Sequence, residues 1–186
     1  MRFGFAAAAL LAASTACLTA QAPPAAAAPE KGTLDTLVQE AKADYTAQKT
    51  LILAAADKMP EENFSFKPTP EIRAYGELFT HVAQAQNGVC STIAGQTPPK
   101  PAATAPTTKA EIIAALKSSF DVCDAAVASV SAANALDVVG RGFFHGTKVG
   151  LISKNTAHDN EMYGTMSVYM RLKGVVPPST AVRGRM

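Results

Sequence analysis

The sequence predicts an all-α fold, a single four-helix bundle. Three observations predict it. Apolar residues recur with helical period in four long segments. No segment alternates apolar and polar residues over a strand's length with β-branched enrichment. Proline- and glycine-rich stretches separate the four segments, and helices of roughly 20 to 27 residues can enclose one shared core. Tryptophan is absent and aromatic residues make up 6% of the 186 residues, so the core is expected to be aliphatic. Alanine supplies 37 positions, and the 24 that lie beyond residue 30 let helices approach closely.

The first element is an export signal. Met1-Arg2 is a positive n-region, and Phe3 to Ala13 is an apolar run of 11 residues, too short to span a bilayer. Ala20-Gln21-Ala22 has the spacing of a cleavage site, with Pro23 next, so the expected cut falls between residues 20 and 28. Lipid attachment at Cys17 is the lesser alternative, because Ser14 stands where such signals carry leucine. The expected organisation is a signal peptide over 1–22, a disordered lead-in rich in Ala and Pro over 23–32 and the bundle over 33–180. The protein is then exported, periplasmic or secreted, with no transmembrane segment. Removing Arg2 with the leader leaves 16 basic against 15 acidic residues. That balance argues against a nucleic-acid surface.

The first helix is expected over Thr33–Met59. Leu34, Leu37, Val38, Ala41, Tyr45, Ile52 and Ala55 form its stripe, Thr33 caps it and Pro60 stops it. Residues 60–70 form a loop. The second helix covers Ile72–Ala94, with Leu78, Phe79, Val82, Ala85, Val89 and Ile93 on one face and Gly95 as its C-terminal cap. Four prolines make 96–107 a loop. Thr108-Lys109-Ala110-Glu111 opens the third helix as a capping box, and Ile112, Ile113, Leu116, Phe120, Cys123, Val127 and Val130 form its stripe. Residues 132–146, broken by Gly140, Gly142 and Gly146, read as a crossover between bundle ends. The fourth helix covers Thr147–Lys173 with two adjoining stripes: Ile152, Asp159, Tyr163, Met166 and Met170 beside Leu151, Asn155, His158, Met162 and Tyr169.

Cys90 and Cys123 remain after signal removal. In an exported chain they are expected to form a disulfide between the second and third helices; the alternative is two separate buried thiols.

His81 lies at the edge of the second helix's apolar face, and His158 opens His158-Asp159-Asn160-Glu161-Met162-Tyr163-Gly164 on the fourth. Histidines on two bundle helices can converge on a metal. A third histidine at i+4 from His158 would complete three nitrogen ligands, and that position holds Met162. His145, between Gly142 and Gly146, reads as a loop residue, and Glu161 as a solvent-facing one.

Phe64-Ser65-Phe66-Lys67-Pro68, Glu77-Leu78-Phe79-Thr80-His81-Val82-Ala83, and the run from His158 through Tyr169-Met170-Arg171-Leu172-Lys173-Gly174 to Pro177-Pro178-Ser179 resemble the DinB-like superfamily, above all its exported bacterial branch. The resemblance covers residues 33–180 in matching order. It implies a four-helix bundle with one metal-binding histidine on the second helix and an H-x-x-x-H pair on the last. It also implies a divalent metal such as zinc, nickel, manganese or iron. Members with known activity include metal-dependent transferases that act with low-molecular-weight thiols. By position, His81 and His158 match two ligands and Met162 replaces the third.

Three readings follow for the site. It is vestigial, with both histidines hydrogen-bonded; or it persists with two histidines helped by water, Asn155, Asp159 or Glu161; or Met162 makes it a copper(I) site. The expected function is an exported DinB-like protein with an incomplete divalent-metal site, binding a small molecule and able to form a homodimer. The alternative is a metal-dependent thiol transferase or hydrolase using His81 and His158.

Overall fold

The computed structural model describes residues 31–183. The expected signal segment, its expected cleavage region and Cys17 lie outside the described residues. Four long helices carry the fold: α1 Leu34–Lys58, α2 Tyr75–Ala94, α3 Lys109–Ala128 and α4 Lys148–Leu172. A short α5, Pro178–Arg183, follows. Between α3 and α4 a two-residue strand, β1 Val138–Val139, pairs antiparallel with β2 Gly146–Thr147, Val138 opposite Thr147. No helix among the described residues is long and apolar enough to cross a membrane.

The helix ends follow from local chemistry. The Thr33 hydroxyl accepts the Thr36 N–H at 3.1 Å, and the Thr36 hydroxyl accepts the Thr33 N–H at 3.3 Å. In α3 the Thr108 hydroxyl accepts the Glu111 N–H at 3.2 Å, while the Glu111 carboxylate takes the N–H groups of Thr107 and Thr108. The second helix begins at Tyr75, not Ile72. Ala74 is extended and its N–H donates to the Glu77 carboxylate at 2.6 Å. The N–H groups of Tyr75 and Gly76 donate to the Phe66 and Phe64 carbonyls, so the preceding loop supplies partners that the helix itself cannot.

Long-range contacts fix the helix directions. The Tyr75 hydroxyl donates to the Ala55 carbonyl, and Lys109 Nζ donates to the Asp57 and Met59 carbonyls. The starts of α2 and α3 therefore both lie at the end of α1, and α2 and α3 run parallel. Lys58 Nζ reaches the Val176 carbonyl and the Tyr169 hydroxyl the Arg73 carbonyl, so α4 runs with α1 and against α2. The order is up, down, down, up.

A parallel pair needs a connection that returns the full helix length. Residues 95–108 make it: 14 residues extended can span about 46 Å, and a 20-residue helix is about 30 Å long. The crossover is thus this proline-rich segment, and the expected crossover at 132–146 is a compact hairpin at one end of the bundle.

The core is continuous across all four long helices. At one end Tyr75 meets Phe79 edge-on at 5.0 Å and Phe64 at 5.5 Å between ring centroids. Both stripes of α4 are buried apart from the half-buried His158, because α4 packs against α1 on one side and α2 on the other. Leu37 is on the α1 stripe by spacing but is 49% exposed.

Candidate functional site

The antiparallel arrangement of α2 and α4 brings His81 and His158 together. Their Nε2 atoms stand 3.2 Å apart and their rings meet at 62°. One imidazole donates to the other, each supplying the tautomer its neighbour lacks. Burial lowers the His81 pKa, with the Arg73 guanidinium and His158 adding to the effect.

Behind His158 lies a buried polar chain. Asp159 is fully buried, and its Oδ1 is 3.8 Å from His158 Nδ1, an ion-pair distance too long for a hydrogen bond. Burial raises the Asp159 pKa, opposed by His158 and by Gln86. Gln86 Nε2 donates to Asp159 Oδ2 at 2.6 Å, and Gln86 Oε1 accepts from Asn155 Nδ2 at 3.0 Å. Asn155 Oδ1 is buried and finds no partner among the described residues.

Gln86 also packs on the disulfide that joins Cys90 to Cys123, whose Cα atoms are 4.9 Å apart. The sulfurs carry no proton, so this contact is packing and positions the amide between α2, α3 and α4. Sequence reasoning missed Gln86. The available signal was a glutamine between Val82 and Val89 on an apolar stripe, a place that demands hydrogen-bond partners.

A pocket of about 360 Å³ opens beside the histidines. Ala85 and Val89 of α2 and the rings of Phe143 and Phe144 form its apolar walls; Gln84, Lys154, Asn155 and the histidine pair supply its polar groups. Two glycines seat Phe144. A Cβ on Gly88 would stand 2.8 Å from the Phe144 ring. Gly140, at φ 70°, presses against the Phe144 carbonyl, so the hairpin folds down onto α2. Lys154 Nζ lies 3.8 Å from the Phe143 ring centroid and donates to the Phe143 carbonyl.

The donor set suits half of a metal shell. With bonds of about 2.1 Å, nitrogens 3.2 Å apart subtend about 100° at a shared ion, an angle of tetrahedral or octahedral coordination. Met162 is buried but lines a different cavity, with Arg73, Leu78 and Tyr169, and is absent from the histidine pocket's lining. Among the described residues no group of three or more His, Cys, Asp or Glu side chains converges on one point. Asn155 Nδ2 and Asp159 Oδ2 are occupied by Gln86, Glu161 points to solvent, and His145 is exposed on the hairpin.

A sequence profile described as DinB superfamily matches residues 44–153. Among solved structures, a DinB-like protein from Bacillus cereus superposes with a TM-score of 0.61 at 15% identity, covering 77% of this chain and 94% of that one. A DinB-like protein from Bacillus subtilis also gives 0.61, at 16% identity, covering 73% and 92%. No curated protein matches the sequence. Since the profile spans more than half of the 186 residues, the chain belongs to the DinB superfamily.

Proposed function

We propose that this protein is an exported DinB-family binding protein of the cell envelope. Its pocket between α2 and α4 receives a small molecule against the His81–His158 pair, and that pair is an incomplete divalent-metal site. The 3.2 Å approach of the two Nε2 atoms carries the reading. Two imidazoles on antiparallel helices at this separation support a role as adjacent ligands, and the pocket beside them leaves room for a ligand at the remaining positions. His81 and His158 would hold the ion, with the buried Asp159 carboxylate lying 3.8 Å behind His158 Nδ1. A bound divalent metal supplies Lewis acidity that makes a coordinated water or thiol easier to deprotonate. Met162 supplies no third nitrogen, and a thioether is a poor partner for zinc, nickel, manganese or iron(II).

The test is metal loading of the tag-free mature protein, read by bound metal and by melting temperature. Zinc is expected to bind weakly, and His81→Ala to abolish that binding. Met162→His is expected to leave the zinc affinity and the zinc-dependent melting shift unchanged, because position 162 lines a separate cavity with Arg73, Leu78 and Tyr169 and only a ligand of the native state stabilises by mass action. No zinc binding by the natural protein would remove the metal reading.

A further inference from the structure

We infer that the pocket between α2 and α4 takes aromatic monocarboxylates, with Lys154 and Gln84 receiving the carboxylate and Phe143 and Phe144 the ring. This rests on the small-molecule reading of the pocket proposed above, but not on bound metal.

Helix direction gathers the polar groups. Because α2 and α4 are antiparallel, three residues forward from His81 and four residues back from His158 lead the same way along the groove, toward the hairpin. Those steps reach Gln84 and Lys154, each on the same helix face as its histidine. Both line the pocket, and among the described residues no Asp or Glu side chain does. Lys154 has three donor protons, and the Phe143 carbonyl takes one. Among the described residues no carboxylate pairs with it, so its charge awaits a counter-ion. Gln84, exposed beside it, adds an amide donor. From the far side of the histidines, the positive charge of Arg73 is felt at His81 more strongly than the negative charge of Glu161. A mono-anion with two acceptor oxygens matches one ammonium and one amide, and charge-assisted hydrogen bonds are the stronger kind. A cationic ligand would meet Lys154 as a like charge.

The walls set the body of the ligand. Phe143 is 73% exposed, and Lys154 Nζ stands 3.8 Å from its ring centroid. The rings of Phe143 and Phe144 are 5.3 Å apart at 78° to one another, so together they offer a face and an edge to an incoming ring. Ala85 and Val89 complete an apolar floor. A ring bonded directly to its carboxylate reaches these walls while the anion stays at Lys154, because cation and aromatic walls are adjacent.

The probes are benzoate, benzamide, benzylamine and acetate. Each is titrated into the intact mature protein with a chelator present, so that no metal contributes, and followed by calorimetry and by chemical shifts. Benzamide keeps the shape of benzoate without its charge. Benzoate is expected to bind about 5-fold more tightly than benzamide, the size of a solvent-accessible ion pair. That preference is expected to shrink at high salt. Benzylamine, cationic at neutral pH, is expected to bind more weakly than benzamide. Acetate is expected to bind about 10-fold more weakly than benzoate, having no ring for the phenylalanines. Lys154→Met keeps the apolar stem and is expected to bring benzoate down to the benzamide level while leaving benzamide unchanged; Lys154→Arg is expected to retain the preference. Equal or tighter binding of benzamide would overturn the carboxylate assignment without touching the pocket, and this comparison needs no variant. A benzoate preference that survives in Lys154→Met, its fold checked by circular dichroism, would overturn the role of Lys154. Acetate binding as tightly as benzoate would overturn the role of the rings. Absence of binding by all four would overturn the ligand class, while zinc titration judges the histidine pair separately.

Discussion

At the residue scale, the site is a set of polar side chains placed on apolar faces. His81 and His158 were visible in the sequence because histidine is rare in this chain and each sits on a strongly periodic helix. Gln86 and the unpaired oxygen of Asn155 were not visible. Their roles depend on three helices meeting, and no spacing within one helix reports that. The pair also sets a pH response. His81 in the folded protein is held below its ordinary 6.5 by burial and by Arg73. The unfolded chain therefore takes up the proton first as the pH falls. Between 6.5 and the lower folded value the unfolded state binds more protons, so stability rises with pH across that window and falls on acidification. Denaturant unfolding from pH 5 to 8 is expected to show this slope, and His81→Gln to flatten it; an unchanged slope in the variant would locate the titration elsewhere.

At the element scale, capping and periodicity defined the helices, and three of the four began within a residue of their expected starts. The exception is α2. Its first turn is set by backbone bonds from the loop at 64–66, which local periodicity does not encode. The disulfide belongs to this scale too, since it ties α2 to α3 across 33 residues of sequence. The two helices are also parallel, so their connection is long and its closure costs entropy. Replacing Cys90 and Cys123 by alanine is expected to destabilise the protein by about 3–4 kcal/mol on the chain-entropy model. Comparing urea midpoints of the oxidised protein and the double variant measures this. A difference below about 1 kcal/mol would mean that helix packing alone holds the pair.

At the scale of the whole molecule, the proposed export and the bundle rest on separate grounds. The export reading rests on Met1-Arg2, the apolar run to Ala13 and Ala20-Gln21-Ala22. Expression of the full chain in a bacterium is expected to give a periplasmic product whose intact mass corresponds to a start between residues 21 and 29. A cytoplasmic product that retains Met1 would end that reading. By itself the sequence determined the helices, their caps, the family and the methionine four residues after His158, because these depend on local periodicity and on residue identity at single positions. Only the tertiary structure decided the up, down, down, up order and the crossover at 95–108. It also decided that Met162 faces Arg73 and Tyr169 in a separate cavity, and that Gln86 links the disulfide to Asp159, the buried carboxylate behind His158. Those outcomes depend on helix direction and on side chains distant in sequence, which the energy of the assembled core selects and no local pattern specifies.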